Sequence, residues 1–103
     1  MRASIKVKMA ILGLALSAAG ANAVAYTGEA LAREAKIDIQ AARVIAKAAR
    51  PGKITDEELE KEAGGSGLRY SFDIKDHGKT YEVGVDAISG KVLENAPEGP
   101  NPD

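Results

Sequence analysis

The chain has 103 residues and a formal net charge of −1, and it contains no cysteine. This length favours a single domain. The absence of cysteine excludes disulfide bonds, thiolate zinc sites and a lipid-modified N-terminal cysteine. A charge so close to neutrality, without a clustered basic face, argues against nucleic-acid binding.

The first residues have the pattern of a secretory signal peptide. Three basic residues among the first eight precede an apolar stretch from Met9 to Ala19. The small-x-small sequence ANA ends at Ala23, and AVA overlaps it and ends at Ala25. Because the apolar stretch is shorter than the roughly 20 residues of a spanning helix, we expect a signal peptide over residues 1–23, cleaved after residue 23 or 25. Cleavage after residue 23 leaves eleven basic and fifteen acidic residues, which disfavours adhesion to anionic lipid.

Two helices are predicted after the signal segment. Residues 24–36 contain the first, a short helix that starts at Gly28 with Thr27 as its N-cap. Asp38 is the N-cap candidate of the second, which runs to Arg50 and ends at a Pro-Gly pair. Apolar residues at helical spacing predict the stripe that packs on a sheet: Ala41, Val44, Ile45 and Ala48.

The next segment, KITDEELEKEAGG, gives conflicting signals. The capping box from Thr55 to Glu58 and the good helix formers Glu and Leu favour a helix. Such a helix would contain one leucine and no apolar stripe. An edge strand, in contrast, can send Ile54 into the core while its charges deter unwanted pairing. Local signals therefore support helix and strand equally.

The segment from Leu68 to Glu94 predicts antiparallel strands. Apolar and polar residues alternate in LRYSFDIK and again in TYEVGVDA, so each strand has one apolar face. A turn at DHGK, in which Gly78 can adopt positive φ, joins the two strands. A second turn at DAISGK leads to a short strand, KVLE. Residues 95–103, with three prolines, predict a disordered tail.

A small antiparallel sheet with one apolar face needs a lid, and the alanine-rich helix can supply it. The predicted fold is therefore α+β, with the helices on one face of a three- to four-stranded antiparallel sheet. The predicted core consists of Ile37, Ala41, Val44, Ile45, Ala48, Ile54, Tyr70, Phe72, Ile74, Tyr81, Val83 and Val85.

Residues 37–94 resemble a PepSY domain, a family named for its occurrence in the propeptides of secreted metallopeptidases and in a spore-cortex regulatory protein. The resembling pattern is a helix of the form I-x-x-x-x-A-x-x-I-A-x-x-A, a Pro-Gly break and an acidic segment with Glu-Leu-Glu. Its most specific part is YEVGVDAISGKVLE, Tyr81 to Glu94. The resemblance implies that Ile54 to Glu62 is a strand. It also implies folding assistance or inhibition of a separate peptidase outside the cytoplasm.

The histidine, carboxylates and serine near the first turn do not form the pattern of a metal site or of a catalytic site. His77, the single histidine, accompanies Asp73 and Asp76 as candidate metal ligands. One histidine with flexible carboxylates does not match the three or four fixed ligands of a zinc site, so we interpret His77 as an exposed turn residue. Ser71, Asp73 and His77 are also residue types of a hydrolase triad. An open sheet offers no enclosed site for one, so we predict no catalytic residue and no cofactor.

The second turn contains oxygen ligands near a glycine, as calcium loops do. Calcium loops supply six or more oxygens from a denser acidic repeat. A structural turn is the better interpretation, in which Asp86 and Ser89 bond to the backbone and Gly90 adopts positive φ.

Partner-contact candidates are the acidic run and two tyrosines: Asp56, Glu58, Glu60, Glu62, Tyr70 and Tyr81. The acidic run is either a solvated face or a strip that steers a basic partner. The tyrosines are either core residues or an aromatic rim for a protein partner.

With the resemblance, these observations predict an exported, non-enzymatic protein-interaction module of the bacterial cell envelope, periplasmic or secreted, which binds or inhibits a peptidase. An exposed strand edge, expected within Asp56 to Glu62, can pair with an extended segment of the partner. Two other functions are compatible with the residues. One is a small-ligand or metal-ion binding envelope protein, and the other is a structural or envelope-stress protein without an enzyme partner.

Overall fold

The computed structural model describes residues 25–99. The predicted signal peptide, residues 1–23, lies outside the described residues, as do residues 100–103. Neither helix in the described range has the length and apolar character needed to cross a membrane.

The described chain forms a 3-10 helix, an α-helix and four strands. In chain order these are η1 (Glu29–Glu34), α1 (Ile39–Ala49), β1 (Lys53–Lys61), β2 (Leu68–Asp76), β3 (Lys79–Asp86) and β4 (Val92–Pro97). Each strand pairs antiparallel with the next, in the order β1-β2-β3-β4. Because α1 packs on one face of this sheet, the predicted α+β architecture is confirmed, with four strands.

The central hairpin follows directly from the alternation in the sequence. Phe72 pairs with Val83 across β2 and β3, and both side chains are fully buried. The two connecting residues, His77 and Gly78, have φ of 51° and 78°. Positive φ at both central positions is the geometry of the type I′ turn, whose twist matches that of the flanking strands.

The acidic segment is a strand, as the resemblance implied. Leu59 of β1 lies opposite Tyr70 of β2 and is 2% exposed, so the one leucine of this segment is used in the core. Glu57 also points to the helix side, where both oxygens of its carboxylate accept hydrogen bonds from Arg43 of α1, at 2.7 and 2.8 Å. The strand therefore buries its leucine and pairs its one inward carboxylate, which an isolated helix could not do.

The face of α1 that meets the sheet differs from the predicted one. The residues packed in or against the core are Ile39, Ala42, Ile45, Ala46 and Ala49. Ile45 was predicted correctly, but Ala41, Val44 and Ala48 are exposed, and 71% of Val44 is accessible. The predicted stripe was therefore wrong in three of its four residues.

The reason is that α1 is apolar along two faces, so helical spacing alone does not select the buried one. Arg43 reaches sideways to Glu57 on β1. At 100° per residue, this orientation of Arg43 turns Ala42 and Ala46 toward the sheet and Val44 toward solvent. Alanines on the buried face also allow the helix backbone to approach the sheet closely.

The start of α1 was predicted correctly. The side chain of Asp38 accepts a hydrogen bond from the Ala41 N–H at 2.8 Å, which is an N-cap bond. The helix ends at Ala49, and Pro51 lies two residues beyond its end.

Residues 26–35 form a segment that we call the N-terminal strap. The predicted cap at Thr27 was wrong, because Gly28 occupies the N-cap position of η1 at φ 86°, without a side-chain cap. Thr27 instead forms a parallel bridge with Glu58, and its carbonyl accepts a hydrogen bond from the Leu59 N–H at 2.8 Å. A Cβ at position 28 would collide with the Leu59 carbonyl, so only glycine allows the strap to lie this close. The Tyr26 ring, 6.4 Å from the Tyr70 ring, anchors the strap to the core.

The last strand extends into the segment predicted to be a disordered tail. In β4, Asn95 pairs with Val83, Ala96 with Glu82 and Pro97 with Tyr81. The prediction was therefore wrong for residues 95–97. The strand pattern of residues 95–97 is weak because proline and asparagine are poor strand formers. Pairing with β3 overrides this preference.

Two matched substitutions test the rotation of α1. We expect Ala46→Asp to bury an unpaired charge against the sheet and to lower the free energy of unfolding by several kcal/mol. Val44→Asp places the same group in solvent, so we expect a loss below about 1 kcal/mol. Urea unfolding followed by circular dichroism measures both. Equal losses, or a larger loss for Val44→Asp, would show that the helix packs through its other face.

Candidate protein-interaction surface

The face of the sheet opposite α1, which we call the open face, is formed by the residues that alternate with the core residues. Its central members are Asp56, Glu58 and Glu60 from β1, Arg69, Ser71 and Asp73 from β2, Glu82 and Gly84 from β3, and Glu94 from β4. Six of these nine carry a carboxylate and one is basic. Lys53 and Lys75 pair with each other at one end of the face. The open face therefore presents a concentrated negative charge on a rigid sheet.

A row of three carboxylates crosses the open face in register. Asp56 lies directly opposite Asp73, and Asp73 lies directly opposite Glu82 on the next strand. Like charges in directly opposite positions of an antiparallel pair destabilise the sheet. Together with Glu58, Ser71 and Glu98, these residues surround a small polar cavity of about 20 Å³. The row concentrates negative charge at this part of the open face.

Arg69 balances the other end of the open face. Its guanidinium lies 3.3 Å from Glu94 and 3.8 Å from Glu62, and it donates to the Ala63 carbonyl at 3.1 Å. Only 8% of its side chain is exposed. A Cβ on Gly84 would be 3.1 Å from a terminal nitrogen of Arg69, so the glycine provides the space in which Arg69 lies flat across β3.

The outer edge of β1 borders this face and is only partly covered. The strap reaches it at Thr27 and forms a single bridge. Beside that bridge is a groove of about 650 Å³, lined by residues 25–27 on one side, residues 54–57 on the other, and Arg43. Within residues 25–99, the strap therefore covers this edge, expected within Asp56 to Glu62, at Leu59, and nearer the start of the strand the edge borders the groove.

The predicted partner-contact residues separate into three groups. Asp56, Glu58 and Glu60 lie on the open face, and Ser71 donates a hydrogen bond to Glu60 at 2.6 Å. Glu62 follows β1 and contacts Arg69.

The two tyrosines lie on the helix side of the sheet. Tyr70 is fully buried, and its hydroxyl donates to the Ile37 carbonyl at 2.8 Å. Burial raises the pKa of Tyr70, since it disfavours the phenolate. Its proposed role in partner contact was therefore wrong, and it is a core residue. Tyr81 is half-buried beneath the Arg50 guanidinium, 3.7 Å from the ring centroid.

The three candidate metal ligands do not converge. The side chain of His77 is 97% exposed and contacts Asp76, with 2.6 Å between Nδ1 and Oδ1. Asp76 also accepts a hydrogen bond from Arg50 at 3.4 Å, and these partners, His77 first, lower its pKa. Asp73 lies on the open face instead. Within residues 25–99, no group of three or more His, Asp or Glu side chains is arranged to hold a metal ion.

Asp86 connects the loop between β1 and β2 with the turn that follows β3. It is 1% exposed, and its oxygens accept hydrogen bonds from the N–H groups of Ser66, Ile88 and Ser89 at 2.6–3.0 Å, and from the Ser66 hydroxyl at 2.9 Å. These donors, the Ser66 N–H first, hold the pKa of Asp86 well below its ordinary value. Gly90 has φ 78° in the same turn.

Three features of the surface were not found from the sequence. The strap on β1 and the pair between Arg43 and Glu57 join residues far apart in the chain and leave no local pattern. Gly84 did leave a signal, because a glycine inside a strand often marks a close approach by another group. In this sheet that group is the Arg69 side chain.

Comparison with known families agrees with the fold and the sequence pattern. Residues 36–95, more than half of the chain, match the PepSY family model, described as Peptidase propeptide and YPEB domain. The resemblance noted in the sequence is therefore confirmed. No curated protein and no solved structure matches the chain. The strap, residues 26–35, precedes the matched residues.

The Asp86 cluster predicts acid sensitivity. Because its pKa is lowered by folding, Asp86 stabilises the native state above its unfolded pKa of about 4, and this contribution is lost as the pH falls toward the folded pKa. Asp86→Asn keeps the size but places an N–H₂ group against buried donors, which should cost about 2 kcal/mol at pH 7. Urea unfolding from pH 7 to pH 3 measures both effects. A variant with wild-type stability, or with an equally steep loss in acid, would contradict this role.

Proposed function

The chain is a member of the PepSY family, and from that membership we propose that it is an exported, non-enzymatic module that binds and restrains a peptidase of the cell envelope. The family's domain is of the propeptide type, which acts by binding to a peptidase rather than by chemistry of its own. The pattern of a signal peptide and the absence of cysteine are compatible with the periplasm or the extracellular space.

The observation that carries this proposal is the row of Asp56, Asp73 and Glu82. Three carboxylates in register are a placement that the rules of cross-strand pairing disfavour. Such departures from local rules are expected where a residue serves function rather than folding. A surface that binds a basic partner gives these charges a use, because they attract the positive charges of that partner.

The mechanism follows from the shape and charge of the open face. A negative surface accelerates encounter with a basic patch and weakens with salt, since long-range attraction is screened. Once docked, a sheet braced by α1 can cover a cleft without any reactive group. The Ser71 hydroxyl donates a hydrogen bond to Glu60, and in this mechanism it holds the surface in shape.

The test uses purified residues 24–103 and the peptidase activity of the exported protein fraction from the source bacterium. Cleavage of a fluorescently labelled casein reports that activity. We expect inhibition that weakens as salt rises. The double variant Asp73→Asn, Glu82→Gln should gain a few tenths of a kcal/mol in stability, because it removes the like-charge pair. It should nevertheless associate about fivefold more slowly, because it removes two attracting charges.

A matched control separates the effect of charge on the open face from the effect of the net charge of the protein. Glu29→Gln with Glu34→Gln removes the same charge from η1, away from the open face, and should leave inhibition unchanged. Absence of inhibition by the wild type, or an equal loss in both double variants, would contradict the proposal.

A further inference from the structure

The groove beside β1 lies at the point where the described part of the chain begins. Thr27 forms a parallel bridge with Glu58, and its carbonyl accepts a hydrogen bond from the Leu59 N–H at 2.8 Å. In a parallel pair both strands advance together, so Ala25, two residues before Thr27, lies level with Asp56. Both residues line the groove of about 650 Å³. The first residues of the strap therefore already lie in this groove.

The groove contains a carboxylate that the fold does not pair. Arg43 donates to both carboxylate oxygens of Glu57, at 2.7 and 2.8 Å, so these two charges balance each other. Asp56 is exposed, and within residues 25–99 its carboxylate has neither an ion-pair nor a hydrogen-bond partner. It also lies opposite Asp73 in the acidic row. Lys53, the nearest cation along β1, is exposed at the first position of the strand. The part of the groove beside Asp56 therefore attracts a positive group.

The predicted processing of the chain supplies such a group at this place. Cleavage after residue 23 creates a new N-terminus one residue before Ala25. A free α-amino group has an ordinary pKa of about 8, so it is mostly positive at neutral pH. One residue of extended chain spans about 3.3 Å, which brings this group close to the level of Asp56. The Tyr26 ring contacts the Tyr70 ring, so the strap is held against the domain directly beside the new N-terminus.

We propose that the chain's own mature N-terminus, Val24, occupies this groove and pairs its α-ammonium group with the carboxylate of Asp56. Signal-peptide cleavage then completes the outer edge of the domain, because it creates a positive group beside an unpaired carboxylate. In the uncleaved chain the same nitrogen belongs to a neutral amide, so Asp56 gains no such partner. The inference rests on the export that is part of the proposed function, but it needs no peptidase. The two can therefore fail separately.

The first measurement follows the α-amino group itself. Purified residues 24–103, with Val24 as the free N-terminus, are labelled with ¹³C and ¹⁵N, and NMR over a range of pH gives the pKa of this group. We expect the pKa to be about 0.3 units higher in the wild type than in Asp56→Asn, because a nearby carboxylate favours the charged form. Glu34→Gln removes an equal charge at the end of η1 and should leave the pKa unchanged.

The second measurement asks whether the pair holds the strap in place. The Leu59 N–H donates to Thr27, so its hydrogen exchange requires the strap to lift. N-acetylation of Val24 removes the positive charge and should accelerate this exchange about threefold in the wild type, but not in Asp56→Asn. Gly28→Ala adds a Cβ that collides with the Leu59 carbonyl. It should displace the strap and make the pKa of the α-amino group insensitive to Asp56.

Four results would overturn the proposal. An equal pKa in the wild type and in Asp56→Asn would show that this carboxylate is not the partner. An equal decrease in Glu34→Gln would attribute the effect to net charge alone. Acceleration by acetylation that persists in Asp56→Asn would show that the pair does not hold the strap. A pKa that rises with protein concentration would identify a second copy of the chain as the occupant of the groove.

Discussion

The pair between Arg43 and Glu57 is the interaction on which the arrangement of the molecule depends. Two hydrogen bonds of 2.7 and 2.8 Å connect α1 to β1 across a partly buried boundary. The pair raises the pKa of Arg43, chiefly through the hydrogen bond to Glu57, so the charge is stabilised in place. It orients the helix, and it gives the single inward-facing carboxylate of an acidic strand a partner. The same alternation then directs Asp56, Glu58 and Glu60 to the open face.

The sequence contained enough information for the hairpin but not for the rotation of the helix. Alternation from Leu68 to Asp86 has period two, and the turn residues His77 and Gly78 tolerate positive φ, so strands, turn and register follow from local rules. In α1, two apolar stripes satisfy the same helical spacing. The contact of Arg43 with Glu57, a residue on another element, favours burial of Ala46 over Val44, and no local rule contains that information.

The acidic strand and the strap also show that local sequence rules do not determine contacts with distant elements. From propensity alone, Thr55 to Glu58 supports a helix as well as a strand, and only the family resemblance decided it correctly. Thr27 has the chemistry of an N-cap but uses its backbone to pair with Leu59. Of the candidate surface, the acidic residues of β1 were found from composition. The row that Asp73 and Glu82 complete could be recognised only from the cross-strand register. The burial of Tyr70 could be recognised only from the packing of the helix.

Binding by charge and shape is consistent with how the domain is built. Its core is small and consists of alanine, leucine, isoleucine, valine, tyrosine and phenylalanine side chains in close contact, which join the sheet to the helix. Its two edges are managed differently, by the strap on β1 and by proline on β4. The negative charge is concentrated on the face that no element covers within residues 25–99. The proposed binding of a peptidase would draw on this combination of a braced sheet, protected edges and one charged face.

A double-mutant cycle on Arg43→Ala and Glu57→Ala tests the central interaction most directly. Free energies of unfolding for the wild type, both single variants and the double variant are measured in urea at neutral pH. If the pair orients α1 and holds β1, the coupling energy should be about 2 kcal/mol, as for charge-assisted hydrogen bonds with partial burial. A coupling energy near zero would contradict the central role of this pair, because the helix and the acidic strand would then be held together by packing alone.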